Sequence, residues 1–525
     1  MARLDGAAEL PAEAEATFQG LVPIAEYVAE EVAKHDRGPS SAFHLQMLRF
    51  QPDSVAGPWN AFRVAAGGSL PQPPGSADDE LASVLLQLAV VQYPSFLLPR
   101  DPNDPFGSMG SSLFNHPLRP RLVQLIGADD GLSRLFTDDD PGLGRRGFVY
   151  TSLGHGFTLQ SVMLGEMLLR ASWDTASMSL LHPTFEMLCE ELLRNLEVVR
   201  SAARGDSTYV RALVAFTGLT TGGVESISTP WGELRPLAQA ERDAAPNSLS
   251  GAVTGTDSEG NRTTVSYAGE LILDAKLPYT VSVHPESQID FESWQWPKLQ
   301  GADDLRHHLE AIQLSSLFSI ATPPGSVIIA RPAWAWIADP LTHGGRVGSW
   351  DVRSGPGFTP YQLRPEDCHE VSRWCERIAK HRTSAIDIAI RRVISVAQAR
   401  TDPADRLVDS VIAWENLFGT REGEGTLRLT LALAWLLEPR SAAQRESLHR
   451  RLKELYRARS DIVHGNPFDN RRIAELANEA FSCAVQALAV LFSDRRDLLS
   501  LPDGAARSLR LMLGAGSEQS NSDGL

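Results

Sequence analysis

The chain has 525 residues, of which 43% are hydrophobic and 22% are charged. These values are ordinary for a globular protein, and the length predicts roughly two to four domains. The net charge of −16 disfavours a long nucleic-acid duplex as ligand, because such binding depends on neutralising phosphates. Four scattered cysteines, no charged-then-apolar leader and no apolar stretch long enough to cross a bilayer favour a cytoplasmic protein without a membrane contact.

Residues 1–205 are predicted to form a mainly helical region. Helical apolar spacing covers Phe18–His35, Glu80–Tyr93, Phe157–Leu169 and His182–Ala203. The acidic run Asp138–Gly142 lacks the late glutamate of a calcium loop, so we predict a turn there. His155 lies between two glycines and is a loop candidate with no partner visible in the sequence.

Residues 206–366 are predicted to form a β-rich or α+β module without a recognisable ligand motif. Strand-like segments are Tyr209–Thr217, Thr263–Ala275, Tyr279–Val283 and Ser326–Trp336. A hairpin-like turn is predicted at Asp257–Asn261, and a helix at Ala302–Ser319 is expected to pack across the strands. Trp334, Trp336 and Trp350 fit either the core of this module or a base-stacking platform, and core tryptophans are commoner.

Residues 367–500 are predicted to form an all-α helical bundle. The amphipathic segments are Arg373–Ala399, Ala404–Phe418, Thr426–Leu437, Ala442–Val463 and Arg471–Phe492. Short connections between them favour antiparallel neighbours. Ser441 and Asn470 are the predicted N-caps of the last two helices. Residues 501–525 are predicted to be a flexible tail, because their end is too polar to fold alone.

Metal chemistry finds no support in the cysteines and histidines of the bundle. Cys368, His369, Cys375 and His381 lie close together on one predicted helix. A zinc site needs two pairs of ligands that converge, commonly from different segments. We therefore expect no metal and no other cofactor.

The stretch Leu455–Asn466 carries the chemistry that the sequence offers. It places Arg459, Ser460 and His464 before Gly465-Asn466-Pro467, a sequence that is typical of a helix end. On an ideal helix Arg459 and His464 lie about 140° apart, whereas Ser460 and His464 share a face. Either Arg459 reaches round the helix, or the last turn unwinds, or a second copy of the motif completes the site.

The two side chains suit phosphodiester chemistry without a metal. Imidazole exchanges protons near neutral pH, and guanidinium binds phosphate oxygens. Taken alone, His464 is more often a helix cap and Arg459 more often a surface ion pair with Glu454 or Asp461. Glu415, inside an apolar helix, is predicted to pair with an arginine or a helix terminus.

Residues 367–500 hold 21 Lys+Arg against 19 Asp+Glu, so the acidic excess of the chain lies elsewhere.

The motif resembles the R-x4-6-H signature of the HEPN superfamily, in particular its Apea-like branch, in which Tyr-x-x-Arg-Ser-x-x-Val-His-Gly is typical. Two earlier segments, Asp402–Asp409 and Ala413–Gly419, look like the second helix of the family and its Glu-x-Leu-Phe end. Glu422–Gly425 then opens a third helix. The resemblance covers about residues 370–500, a quarter of the chain.

This resemblance implies a metal-independent endoribonuclease that acts as a homodimer through its C-terminal bundle. His464 would act on the 2′-hydroxyl or the leaving 5′-oxygen, and Arg459 would hold the phosphate. Ser460 would orient one of them, and Asn466 would help to hold the phosphate. The RNA would be compact or present a single-stranded loop. Family members often act in phage defence or as toxins, so residues 1–366 would be a sensor or substrate selector that responds to a protein trigger.

Two alternatives stay open from the sequence. The second interpretation, after the nuclease, is a non-catalytic dimerisation and ligand-binding module in a recognition protein, whose N-terminal modules recognise a protein or nucleotide. A third hypothesis is a regulated toxin whose activity appears only after a trigger binds the N-terminal region.

Overall fold

Helices occupy both ends of the described part of the chain, and most strands lie between them in the sequence. The structure is a computed structural model that describes residues 60, 69–75, 79–96, 116–140, 144–180, 183–220, 223–244, 250–256, 262–268, 271–285, 300–320, 330–342, 346–349, 361–398, 400, 402–420, 425–467 and 469–514. The predicted α+β class is confirmed, with a helical C-terminal region and sheets in the middle.

Helices in the N-terminal part of the described chain pack around one leucine-rich core. They are α1 (Glu80–Phe96), α2 (Arg119–Ala128), α3 (Ser161–Ser177) and α4 (Phe185–Arg204), with a 3-10 turn at Leu132–Leu135. Leucines at helical spacing, such as Leu88 and Leu192, are fully buried. The helices predicted at Glu80–Tyr93 and His182–Ala203 are confirmed. The one predicted at Phe18–His35 lies outside the described residues.

A four-stranded antiparallel sheet accompanies these helices, although the sequence indicated only helices here. Its strands are β1 (Asp138–Asp140), β2 (Gly144–Thr151), β3 (Gly156–Gln160) and, from later in the chain, Val281–His284. The helix predicted from Phe157 begins only at Ser161, because residues 156–160 pair with β2. The turn predicted at Asp138–Gly142 is wrong for its first three residues, which pair with β2 as well.

The middle of the chain forms a six-stranded antiparallel sheet. Its strands, in chain order, are β4 (Thr208–Thr217), β6 (Ile227–Thr229), β7 (Gly232–Pro236), β10 (Leu271–Tyr279), β12 (Arg331–Ile337) and β13 (Arg346–Ser349). Their spatial order is β13-β12-β4-β10-β7-β6. The remaining elements are β5 (Leu219–Thr220), the helix α5 (Gln239–Ala244), β8 (Ser250–Thr256), β9 (Arg262–Ala268), β11 (Val281–His284) and β14 (Tyr361–Gln362).

The predicted strands are mostly present but differ in their bounds. β4 confirms Tyr209–Thr217, whereas Thr263–Ala275 divides into β9 and β10 and Tyr279–Val283 divides into the end of β10 and β11. The predicted strand from Ser326 is described only from residue 330, and the turn predicted at Asp257–Asn261 lies outside the described residues between the paired strands β8 and β9. Because β11 pairs with β2, the first sheet crosses the predicted boundary at residue 205.

Helices α6 (Gln300–Ser319) and α7 (Pro365–His381) cover one face of the six-stranded sheet. Ile312 and Cys375 are buried against sheet residues such as Val214. The predicted helix at Ala302–Ser319 is confirmed, but α7 shares its core with the sheet as well as with the bundle, so residue 367 is not a clean boundary. Trp336 is buried as predicted; the side chains of Trp334 and Trp350 lie outside the described part.

The bundle consists of α8 (Asp387–Gln398), α9 (Pro403–Phe418), α10 (Gly425–Leu437), α11 (Ala442–Val463) and α12 (Asn470–Ser493) around one core. The segment predicted as one helix, Arg373–Ala399, is two, because Arg382 and Thr383 have extended backbones. Ser441 caps α11 as predicted, by accepting a bond from the Gln444 amide. The N-cap of α12 is Asp469 and not Asn470, a shift of one residue.

Two short helices follow α12, and the second of them lies within residues 501–525, which were predicted to be a flexible tail. They are α13 (Arg496–Leu499) and α14 (Gly504–Met512). α14 packs on α9 and α10, and its Arg507 is fully buried. Asp503 caps the helix through a bond from the Ala506 amide. The polar residues 515–525, which suggested the tail, lie outside the described part.

Among the described residues, α12 is the helix whose length and composition would allow it to cross a membrane. It packs along α9, and 56% of its apolar window is buried inside the fold. Its fully buried residues include Leu488 and Leu491. The fold therefore uses the apolar side chains of this helix in the core of the bundle.

Candidate functional site

The Arg459/His464 motif lies at the end of α11, as the sequence predicts. The helix continues to Val463, and the His464 amide still donates to the Ser460 carbonyl at 3.0 Å. Gly465 then adopts a left-handed φ of 74°, which lets the Asn466 amide donate to the Asp461 carbonyl at 2.9 Å. This is the hydrogen-bond pattern with which glycine closes many helices. The last turn is therefore helical and not unwound.

Arg459 points towards α9, where it meets Glu415. Its Nη2 donates to Glu415 Oε2 at 3.3 Å, and Tyr456 donates its hydroxyl to Glu415 Oε1 at 2.9 Å. The Arg459 side chain is 21% exposed and that of Glu415 is 32% exposed. The predicted pairing of Glu415 with an arginine is confirmed, and that arginine is Arg459 itself. The alternative partners Glu454 and Asp461 bond elsewhere, to Arg451 and Asn466.

The carboxylate of Glu415 perturbs its other neighbour, Tyr456. Burial, followed by the hydrogen bond and negative charge of Glu415, raises the pKa of the Tyr456 phenol above its ordinary value. The phenol therefore stays protonated at neutral pH and continues to donate. Tyr456 and Arg459 thus share Glu415 as their acidic partner, and these two contacts hold this part of α11 against α9.

Most N–H donors of Arg459 make no hydrogen bond to the described residues. Guanidinium has five N–H donors, and Arg459 uses one of them in a long bond. Its Nε is buried and has no hydrogen-bond partner in the described part of the chain. A buried N–H without a partner is costly, and an anion at this position would satisfy it. The arginine is therefore held in place and has one buried donor that makes no hydrogen bond in the described part of the chain.

His464, Ser460 and Asn466 differ in what surrounds them. His464 is exposed, and its imidazole has no hydrogen-bond partner among the described residues, so it is accessible to a ligand. Ser460 is half-buried one turn earlier on the same face. Asn466 is exposed, and its amide donates to Asp461 Oδ1 at 3.0 Å. That bond uses only one of its two N–H donors.

The geometry decides between the three ways in which one motif could complete a site. Unwinding is excluded, since α11 is regular to Val463. Reaching round is opposed by the contact of Arg459 with Glu415, because this contact directs the guanidinium to the α9 side of the helix. His464 lies about 140° away on the solvent side. A second copy of the motif is the arrangement that the geometry favours.

A second cluster of polar residues surrounds Asp339, and His155 is the one member of it that was a candidate in the sequence. His155 Nδ1 lies 2.8 Å from Asp339 Oδ2, and the side chain of Asp339 is fully buried. Tyr279 donates to Asp339 Oδ1 at 2.9 Å, and Thr151 donates to Oδ2 at 3.3 Å. The carboxylate, which follows the end of β12, thus connects three other parts of the fold. They are β2, the turn that precedes β3, and β10. The Leu341 amide also donates to Asp339 Oδ1, at 3.0 Å, and a carboxylate with four such partners indicates a structural role.

A cavity of about 1160 Å³ opens beside β10, where β7 begins, far in sequence from the motif. Trp231 and His308 stack at one wall with ring centroids 5.0 Å apart. Burial, and then neighbouring His307, lowers the pKa of His308 to about 4. Its Nδ1 is buried without a partner among the described residues. None of the predicted site residues lines this cavity.

Replacing His308 with phenylalanine is expected to make the fold less sensitive to acid. Below pH 6.5 the unfolded chain binds a proton at this imidazole that the folded chain binds only near pH 4. The free energy of unfolding therefore falls between these values, by at most about 1.4 kcal/mol per pH unit from this group. Phenylalanine keeps the stacking on Trp231. Urea unfolding at pH 7, 6, 5 and 4.5 measures the effect; parallel curves for both proteins would contradict it.

Metal-ligating residues do not cluster in the described part of the chain. No group of three or more His, Cys, Asp or Glu side chains converges there. Cys368 and Cys375 are buried, and burial raises the pKa of the Cys375 thiol to about 12. These two thiols are therefore neutral core side chains. Comparison with known proteins finds no matching family model, no matching curated protein and no matching solved structure.

Proposed function

We propose that the chain is a cytoplasmic, metal-independent endoribonuclease of HEPN type. The observation that carries the proposal is that α11 ends with an exposed imidazole and carries, five residues earlier, a guanidinium with one unused buried donor. Together these groups provide a proton-transfer group and a phosphate clamp on one rigid helix. The resemblance of residues 370–500 to Apea-like HEPN domains supports the same reaction.

The proposed reaction moves one proton from the 2′-hydroxyl and returns one to the 5′-oxygen. His464 accepts the 2′-hydroxyl proton, the 2′-oxygen attacks phosphorus, and the bond to the 5′-oxygen breaks as an imidazolium protonates it. Arg459 stabilises the additional negative charge of the pentacoordinate phosphorus, usually the largest single contribution in such catalysis. The products are a 2′,3′-cyclic phosphate and a 5′-hydroxyl. Ser460 orients the imidazole, and the free N–H of Asn466 donates to the phosphate.

The proposal includes a homodimer. Because Arg459 is directed to α9 and His464 to solvent, one copy does not bring both groups to one phosphate. Two copies related by a two-fold axis would place the Arg459 of each near the His464 of the other. The α11 helices would then meet across a shared cleft. As a phage-defence protein or regulated toxin, such an enzyme would use residues 1–366 to sense a protein trigger or to select RNA.

Cleavage of RNA in the presence of EDTA tests the proposal. The full chain is expected to cut a single-stranded RNA and to leave a 2′,3′-cyclic phosphate, which mass spectrometry identifies. A DNA strand and a 2′-O-methyl RNA of the same sequence should stay intact, because both lack the attacking hydroxyl. Cleavage of the DNA strand, or equal cleavage by wild type and His464→Ala, would contradict the assignment.

A second candidate function is favoured by the contact between Arg459 and Glu415. A carboxylate at 3.3 Å partly neutralises the guanidinium and would compete with phosphate for it. This contact suits a non-catalytic dimerisation and ligand-binding module, in which Arg459 serves as a structural ion pair. Absence of cleavage by wild type, together with a dimer that is unchanged by His464→Ala, would favour the binding module.

A further inference from the structure

The cations of α11 divide into two groups according to their partners. Arg445 lies over the ring of Trp435 at 3.5 Å and donates to the Glu438 carbonyl at 3.0 Å. Arg451 is paired with Glu479 at 2.7 Å and with Glu454 at 2.6 Å. These arginines tie α11 to the bundle or to its own turn. Their charges are therefore used inside the protein.

Arg450, Lys453 and Arg457 form the other group. All three are exposed, and none has an ion-pair or hydrogen-bond partner in the described part of the chain. Acidic residues stand at pairing distance along the helix, three or four positions away. Yet Glu454 pairs with Arg451, and Asp461 accepts a bond from Asn466. The three cations therefore remain available to an external anion.

These three cations share one face of α11 with Ser460 and His464, whereas Arg459 lies on the α9 side. At about 100° per residue, Arg450, Lys453, Arg457, Ser460 and His464 fall within an arc of about 80°. The distance from Arg450 to His464 along the axis is about 21 Å at 1.5 Å per residue. The buried Leu452 and Leu455 lie on the other side of the helix. We name Arg450, Lys453 and Arg457 the basic stripe.

We propose that the basic stripe binds the phosphate backbone of single-stranded RNA and leads that strand to His464. This inference rests on the proposed nuclease function and gives it a substrate class and a path. One narrow row of cations on a helix fits one backbone, whereas a duplex presents two. The net charge of the whole chain, −16, further disfavours a long duplex.

The basic stripe is limited at one end by an acidic residue and at the other by the end of the helix. Glu446 stands on the same face one turn before Arg450, so its exposed carboxylate limits the stripe at that end. At the other end the stripe stops at His464 and the helix terminus. The strand is therefore held on one side of the scissile bond, over about four turns of helix.

Salt dependence of RNA binding tests the stripe separately from cleavage. Binding of a fluorescent 2′-O-methyl RNA 12-mer, which cannot be cleaved, is measured by anisotropy between 50 and 200 mM KCl. The variant Arg450→Gln/Lys453→Gln/Arg457→Gln should lower the slope of log K against log salt by about 2, at about 0.7 per phosphate contact. Its affinity at 100 mM KCl should fall by about tenfold or more, roughly uniformly across sequences.

The control variant is Arg440→Gln/Arg496→Gln/Arg510→Gln. It removes the same charge from exposed positions of the C-terminal region that also lack an ion pair among the described residues. Its slope should match wild type, and equal slopes for the two triple variants would overturn the inference. No measurable binding by wild type, or equal binding of a 12-base-pair duplex, would overturn it too. RNA binding through the stripe without cleavage would instead refute the nuclease proposal alone.

Discussion

Replacing Arg507 with methionine is expected to lower the free energy of unfolding by about 2–4 kcal/mol. Its guanidinium is fully buried and donates to the carbonyl oxygens of Leu417 at 2.8 Å, Asn416 at 2.9 Å and Leu501 at 3.2 Å. Two of these carbonyls belong to the last turn of α9, which has no intrahelical donors for them. Methionine fills similar space but leaves all three carbonyls without a donor.

The size of this effect is limited by the burial of the charge itself. Burial lowers the pKa of Arg507, which means that the fold already spends free energy in holding the cation away from water. Removing the cation releases part of that cost, so the loss stays below the sum of three orphaned carbonyls. Urea unfolding followed by circular dichroism at 222 nm measures the difference. Arg510→Met, on the exposed side of the same helix, is the control and should change the value by less than about 0.5 kcal/mol.

Arg507 also explains why the end of the bundle was missed in the sequence. The tail was predicted to be flexible because its last residues are polar and offer few apolar side chains. α14 is instead held by hydrogen bonds to backbone carbonyls 90 residues earlier, which have no signature in the sequence of either segment. Gly504 contributes in the same way, since it lies against the backbone of Gly419, where a Cβ would come within 2.9 Å.

Short-range sequence patterns correctly predicted features that depend on neighbouring residues, such as helix positions and helix ends. The apolar spacing of α1, α4, α6 and α9 was sufficient to place these helices, and Ser441 and Gly465 marked two helix ends correctly. The segment of β3 was predicted to be helical because Phe157 and Leu159 continue the apolar spacing of the helix that follows. Its pairing with β2, which the sequence does not reveal, makes it a strand. The break at Arg382 depends on ion pairs to Glu310 and Asp387, of which the first is remote in sequence.

The candidate site was predictable in its residues but not in its contacts. Arg459, His464 and Glu415 could all be named from the sequence. That Glu415 pairs with Arg459 depends on how α9 and α11 pack, 44 residues apart. His155 was singled out without a partner, and its partner Asp339 lies 184 residues away. Pairing of this kind needs the fold, because sequence spacing carries no information about it.

His464→Ala and Arg459→Ala are each expected to lower the rate of RNA cleavage by about 10²–10⁴-fold. In the proposed reaction His464 would supply the proton transfer, and Arg459 would stabilise the charge at the phosphorus. His464 is exposed and has no side-chain partner in the described part of the chain, so its variant should unfold as wild type does. Arg459→Ala leaves Glu415 with Tyr456 as its remaining partner, and Arg459→Lys, which keeps the charge, should recover part of the rate.

Mixing the two inactive variants should restore cleavage, because the proposed site takes Arg459 from one copy and His464 from the other. A dimer of one Arg459→Ala chain and one His464→Ala chain keeps one intact site of two. Random exchange makes about half of all dimers mixed, so activity should reach about a quarter of wild type. The chains are mixed in mild urea and refolded together, and each variant refolded alone is the control. Activity that stays at the level of the separate variants would mean that each copy carries a complete site. In that case Arg459 would have to leave Glu415 and reach round α11.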